Sequence, residues 1–277
     1  MFAENVLFAF ALTVFAGLST GIGSLMALFS KKFNSKFLAA SLGFSAGVMI
    51  YVSLIEIFPK ARVALCEVYS EKNAYYFTVL SFFAGIALIG LIDKLVPSFE
   101  NPHEIRNVVE TPEEADKASK MVGNSSDKKL LRMGIFSALA IGIHNFPEGL
   151  ATFMAALHDP SLGISISAAI AIHNIPEGIA VSVPIYFATR NRTKAFLYSF
   201  MSGFAEPVGA IIGYLLLKSV LGNGIFGFVF AGVAGIMVYI SLNELLPTAE
   251  EYGEHHIAIG GLIAGMAVMA LSLVLFA

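Results

Sequence analysis

The hydrophobic pattern is dominated by long apolar runs, at 5–30, 37–58, 74–96, 130–157, 162–187, 195–217, 225–246 and 257–276. Each exceeds the roughly 18 residues that suggest a membrane span, and at 1.5 Å per residue each crosses a hydrocarbon core of about 30 Å. A transmembrane barrel would need short alternating segments, which are absent. A helix is the other element that satisfies its own backbone in lipid. The expected fold is therefore an all-α polytopic membrane protein with eight transmembrane helices. Glu4 stands before the first run where a signal peptide would be basic, and the lysines follow the run, so it is expected to remain as the first helix. The stretch 97–129, rich in charges and carrying Pro102, Pro112, Gly123 and Asn124, reads as a flexible cytoplasmic linker. The chain thus divides into helices 1–3 (1–96), the linker (97–129), central helices 4–5 (130–187) and helices 6–8 (188–277).

Composition sharpens this. The chain is 57% hydrophobic and 13% charged, with mean hydropathy +0.77, against about 25% charged in an ordinary globular chain. Soluble enzymes, nucleic-acid binders and disordered scaffolds are poor readings. A net charge of -3 is too small to argue for a polyanionic partner. With Cys66 as the one cysteine, there is no intramolecular disulfide and no thiolate cage, so any metal site needs nitrogen and oxygen ligands. The first, third and fifth loops hold most of the basic residues, among them Lys31, Lys32, Lys36, Lys128, Lys129, Arg190, Arg192 and Lys194. The even loops hold only Lys60, Arg62, Lys72 and Lys218. The positive-inside rule then places the odd loops in the cytoplasm and both termini outside it, in a cell membrane.

Two kinds of repeat follow. GVMIYVSLIEIFPKA (47–61) aligns without a gap on GIMVYISLNELLPTA (235–249), in helices 2 and 7. One is even and the other odd, so they cross in opposite senses, as in an inverted-topology repeat. HNFPEG (144–149) in helix 4 recurs as HNIPEG (173–178) in helix 5. The expected arrangement is 3+2+3, with helices 1–3 mirrored by 6–8 around an antiparallel central pair.

The hexamers carry the chemistry. His144 and Glu148 are four residues apart, hence on one helix face, and His173 with Glu177 repeats this from the neighbouring helix. Asn145 and Asn174 lie one step round, and Glu206 in helix 6 can close the cluster. An ionised carboxylate at mid-bilayer costs about 2.5–3.5 kcal/mol on the lenient insertion scale. No lysine or arginine lies at that depth, so a bound metal ion is the remaining partner. Imidazole with carboxylate suits Zn(II), Fe(II), Mn(II) or Co(II) rather than Mg, Ca or Cu(I). Three carboxylates are enough for two adjacent ions. Pro147 and Pro176, between the ligands, each free an i−4 carbonyl, those of Ile143 and Ile172, which fits an opened, metal-lined path.

Farther out, Glu56 and its repeat mate Glu244 mark the outer and inner mouths of a pathway, with Ser53 and Ser241 a turn inside. Asp93, His255 and His256 are placed to catch a released ion. All of these can equally be ordinary interfacial residues.

The two hexamers, AEPVG (205–209) and the paired SLIEIFP and SLNELLP segments resemble the ZIP (Zrt/Irt-like) divalent metal transporters, most closely the bacterial ZupT-type branch. The resemblance covers nearly the whole chain. It implies uptake of zinc, with Fe2+, Mn2+, Co2+ or Cd2+ as further cargo, toward the cytosol by alternating access. It also implies a primary site at His144, Glu148, His173 and Glu177, and a second ion shared with Asn145, Asn174 and Glu206. No cofactor is implied beyond the transported ions, and the scaffold is expected to pair as a homodimer in the lipid bilayer. The loop after helix 3 carries only His103, so delivery by a histidine-rich loop is not expected. Asn174, where some relatives have a carboxylate, lowers the charge of the second site. The competing reading is an intramembrane zinc-dependent hydrolase, disfavoured because HExxH is missing and an inverted repeat has no purpose in a one-sided enzyme.

Overall fold

The computed structural model describes residues 2–29, 35–95, 122–217 and 223–276, and every regular element among these is a helix. We number eight rods. They are α1 (Phe2–Phe29), α2 (Ser35–Val52, a π-helical turn Ser53–Ile57, then Phe58–Cys66), α3 (Glu71–Leu95) and α4 (Val122–His158). Then come α5 (Pro160–Thr189), α6 (Arg192–Gly203 and Ala205–Leu217), α7 (Asn223–Ile240, a π-helical turn Ser241–Leu245, then Leu246–Tyr252) and α8 (His255–Phe276). Among the described residues, seven of the rods, α1 to α3 and α5 to α8, are long and apolar enough to cross a membrane.

The helix bounds differ from the apolar runs where proline or polarity misleads. Helix α4 begins at Val122, inside the stretch expected as linker; the rest of that stretch, through 121, lies outside the described residues. Extending a formed helix by a polar turn is far easier than starting one, so Asp127, Lys128 and Lys129 do not end it. Helices α2 and α7 likewise run past Pro59 and Pro247. A proline lacks the N–H that an i→i−4 ladder needs. The ladder shifts register just before it, with Phe58 N–H bonding to Ser53 O and Leu246 N–H to Ser241 O, and each proline enters the first turn of the following helix.

The α4–α5 link is Asp159 alone, whose side chain accepts from Ser161 N–H at 2.8 Å with Pro160 opening the helix. At the other end Arg190 adopts the left-handed region (φ 52°), closing α5 with its N–H on Tyr186 O, and Asn191 caps α6 by accepting from Lys194 N–H. Such short links place α4, α5 and α6 side by side.

Small residues set which rods touch backbone to backbone. A Cβ at Gly178 would strike Thr20 O of α1, and one at Gly23 would strike Ile175 O of α5. Gly149 meets Glu206 O, and Gly209 meets Phe146 O, so α4 and α6 approach in the same way. Gly17 and Gly203 abut between α1 and α6. The same seating joins α2 to α8 (Gly47 on Leu262 O, Gly265 on Phe44 O) and α3 to α7 (Gly235 on Phe82 O). These close approaches fall within two sets, α1/α4/α5/α6 and α2/α3/α7/α8, and among the described glycines none crosses from one set to the other. An apolar cavity of about 1110 Å³ lies where α3 and α7 face α4 and α6, lined by Ile89, Phe146, Pro147, Leu150, Val229 and Ile236 among others.

Candidate metal centre

Helices α4 and α5 run antiparallel with their hexamers level, and i, i+4 spacing turns His144 with Glu148, and His173 with Glu177, inward. The two pairs interlock crosswise. His144 Nε2 lies 3.2 Å from Glu177 Oε2, and His173 Nε2 lies 3.3 Å from Glu148 Oε2. All four side chains are buried, at 0–1% exposure. Each histidine is thus held through Nε2 by a carboxylate of the other helix. Among the described residues no three His, Cys, Asp or Glu side chains stand in the geometry of a formed ion site. The donors close on one another across the two helices.

Around this square the polar atoms are only partly satisfied. Ser45 of α2 donates its hydroxyl to Glu177 Oε1 at 3.0 Å, while Glu148 Oε1 has no partner. The residue repeating Ser45 in α7 is Val233, which explains the difference. Asn145 donates to Ser202 O at 3.1 Å, and Asn174 donates to Ala16 O at 2.9 Å and to Glu206 Oε1. The remaining oxygens, Asn145 Oδ1, Asn174 Oδ1, Glu206 Oε2 and Thr20 Oγ1, are buried without a hydrogen bond. Buried polar groups are nearly always paired, and each exception requires an explanation. Here three of the orphans belong to the residues expected to hold a second ion. Thr20 and Ser45 were not among the expected site residues.

The outer candidates divide. Glu244 reaches the centre, with Oε2 3.9 Å from His144 Nδ1. Glu56 instead lies 3.9 Å from Lys60 Nζ of its own helix. The Ser241 hydroxyl is spent on Met237 O at 2.7 Å, whereas Ser53 Oγ is buried and unpaired. Asp93 Oδ2 accepts from Tyr239 Oη and Asn243 Nδ2, both at 3.3 Å, so it is tied to α7 beside Glu244. His255 pairs with Glu250 at 2.6 Å, and its ring lies 5.8 Å from that of His256, both exposed and away from the buried cluster. Close by, Lys36 bonds Glu254 at 2.9 Å and holds that carboxyl below its usual range.

The chain matches the profile of the family described as ZIP Zinc transporter over residues 5–273. It is 67% identical to the "Zinc transporter ZupT" of Chlorobium chlorochromatii (strain CaD3), with 99% of each chain covered. It is 64% identical to that of Chlorobaculum parvum (strain DSM 263 / NCIMB 8327), again with 99% of each covered. Against that of Clostridium perfringens (strain 13 / Type A) it is 62% identical, covering 99% of this chain and 97% of the relative.

Proposed function

Because this chain belongs to the ZIP zinc transporter family and is a multi-pass membrane transporter of divalent metal ions rather than an enzyme, we propose that the interlocked His144–Glu177 and His173–Glu148 pairs are its transport site. The crossed pairing is the observation that carries this reading. Two neutral imidazoles and two carboxylates match one divalent borderline ion in charge and donor type. Zinc is the first cargo, with Fe2+, Mn2+, Co2+ and Cd2+ admitted by the same donors. Asn145, Asn174, Glu206 and the orphaned Thr20 hydroxyl form an adjacent oxygen-rich site for a second ion. The proposed direction is uptake into the cytoplasm across the cell membrane, with all eight rods spanning and both termini outside it. A homodimer is the proposed assembly. The hydrolase reading is not supported, since the relatives are named transporters and the cluster is sealed from any large substrate.

The proposed mechanism is alternating access by an inverted repeat. Several pairs of contacts are related by exchanging α1 with α6 and α4 with α5. Asn145 on Ser202 O pairs with Asn174 on Ala16 O, and Gly149 against Glu206 O pairs with Gly178 against Thr20 O. The twin π-helical turns of α2 and α7 are exchanged in the same way. On this 3+2+3 reading, α1, α4, α5 and α6 form a glycine-sealed bundle that carries the ion against a frame of α2, α3, α7 and α8. The apolar cavity on the bundle–frame seam gives room for that motion. Pathway roles go to Glu244, Asp93 and Ser241 at the inner mouth and to Glu56 and Ser53 at the outer one, with His255 and His256 catching released ions.

Counterflow tests the carrier mechanism. Vesicles containing the protein and preloaded with unlabelled zinc are expected to take up radiozinc several-fold faster than empty ones, because the reorienting site returns loaded. A pore gives no acceleration, and that result would reject alternating access.

A further inference from the structure

The principal contacts inside the bundle and inside the frame are paired by symmetry, while a charged contact between them is not. Within the bundle the two histidine–glutamate pairs, the Asn145–Ser202 O and Asn174–Ala16 O bonds and the Gly149 and Gly178 seats come in exchanged pairs, and the frame holds its two π-helical turns at matching places. At the seam, Glu244 Oε2 stands 3.9 Å from His144 Nδ1. Exchange would carry that contact to Glu56 and His173. Yet Glu56 stands 3.9 Å from Lys60 Nζ, and among the described residues no ion pair joins it to His173. Where Glu56 has Lys60 one turn on, Glu244 has Thr248, so among the described residues the competing cation at that place is present for Glu56 alone.

Two symmetric units joined asymmetrically have a second arrangement of the same kind, reached by exchanging the roles of the repeats. We propose that in the opposite-facing state Glu56 leaves Lys60 and stands beside His173 as Glu244 now stands beside His144. The two glutamates then hand the metal on and off the central site at opposite faces, each in only one state. The side chains are suited to this. Glu56 and Glu244 are 20% and 15% exposed, so both are in reach of water, and each sits in a π-helical turn. Such turns often mark functional positions in helices.

The proposal rests on the transporter reading and is tested apart from it. Wild-type protein is reconstituted in vesicles of one orientation, and half-saturating zinc is measured from each face. Glu56→Gln is expected to raise it about tenfold or more, the order found when a carboxylate supporting a metal is lost, from the face where Glu56 lies, with little change from the other. Glu244→Gln is expected to do the reverse. A Glu56→Gln effect that is absent, equal from both faces, or on the same face as that of Glu244→Gln overturns the proposal. If Glu56→Gln does not fold, Glu56→Asp, which draws the carboxylate back by one methylene, is expected to give a smaller shift on the same single face, and an unsided result overturns it equally. Saturable zinc flux absent from the wild type defeats the transporter reading instead.

Discussion

Replacing His144 with alanine is expected to lower saturable zinc uptake by reconstituted vesicles at least about 100-fold. Loss of a group that merely supports a metal ligand costs 10–100-fold, and His144 is proposed as a ligand itself. Its Nε2 is 3.2 Å from Glu177 Oε2 inside a site with 0–1% exposure, so no water replaces it. The same substitution leaves Glu177 with only the Ser45 hydroxyl as partner. Removing one member of a buried ion pair destabilises by about 3–5 kcal/mol. The doubly substituted His144→Ala/Glu177→Ala protein, with no carboxylate left unpaired there, is therefore expected to melt higher than His144→Ala and to remain inactive. Thermal unfolding in detergent beside flux separates the two effects. Uptake close to wild type in a folded His144→Ala protein would remove this residue from the site.

The second large effect concerns packing. Gly178→Ala is expected to destabilise the protein by about 3 kcal/mol, at the upper end of what overpacking costs, because the new Cβ would overlap Thr20 O and α1 would have to withdraw from α5. Withdrawal would also pull Ala16 O away from Asn174, so uptake should fall with stability. Gly260→Ala is the control. Nothing lies within 4 Å of a Cβ there, and exchanging a helical glycine for alanine gains a few tenths to about 1 kcal/mol. Equal melting temperatures for the two variants would show that the glycine seats do not hold the bundle together.

Much of the centre was legible in the chain because histidine and glutamate are conspicuous in apolar helices, and their spacing fixes which face they share. Serine and threonine are not. Thr13, Thr152, Ser182 and Ser241 each bond a carbonyl four residues back on their own helix, while Ser45 reaches Glu177 and Thr20 reaches nothing. Nothing in the local sequence separates these cases, since the difference lies in what the neighbouring helix presents. The π-helical turns escaped notice for a related reason: a proline after an apolar run signals an end, and only the register shift at Ser53 and Ser241 lets the rod continue. Tyr239 and Asn243, which hold Asp93 near Glu244, were hidden as an aromatic in a core-like run and a lone amide.

Zinc K-edge absorption on the purified, zinc-loaded protein tests the central claim most directly. With one zinc bound, the wild type is expected to give two imidazole nitrogens and two carboxylate oxygens at about 2.0–2.2 Å, with no sulfur, and His173→Ala is expected to retain one imidazole. A sulfur ligand, or an imidazole count that His173→Ala leaves unchanged, would contradict a transport site built from the two crossed histidine–glutamate pairs.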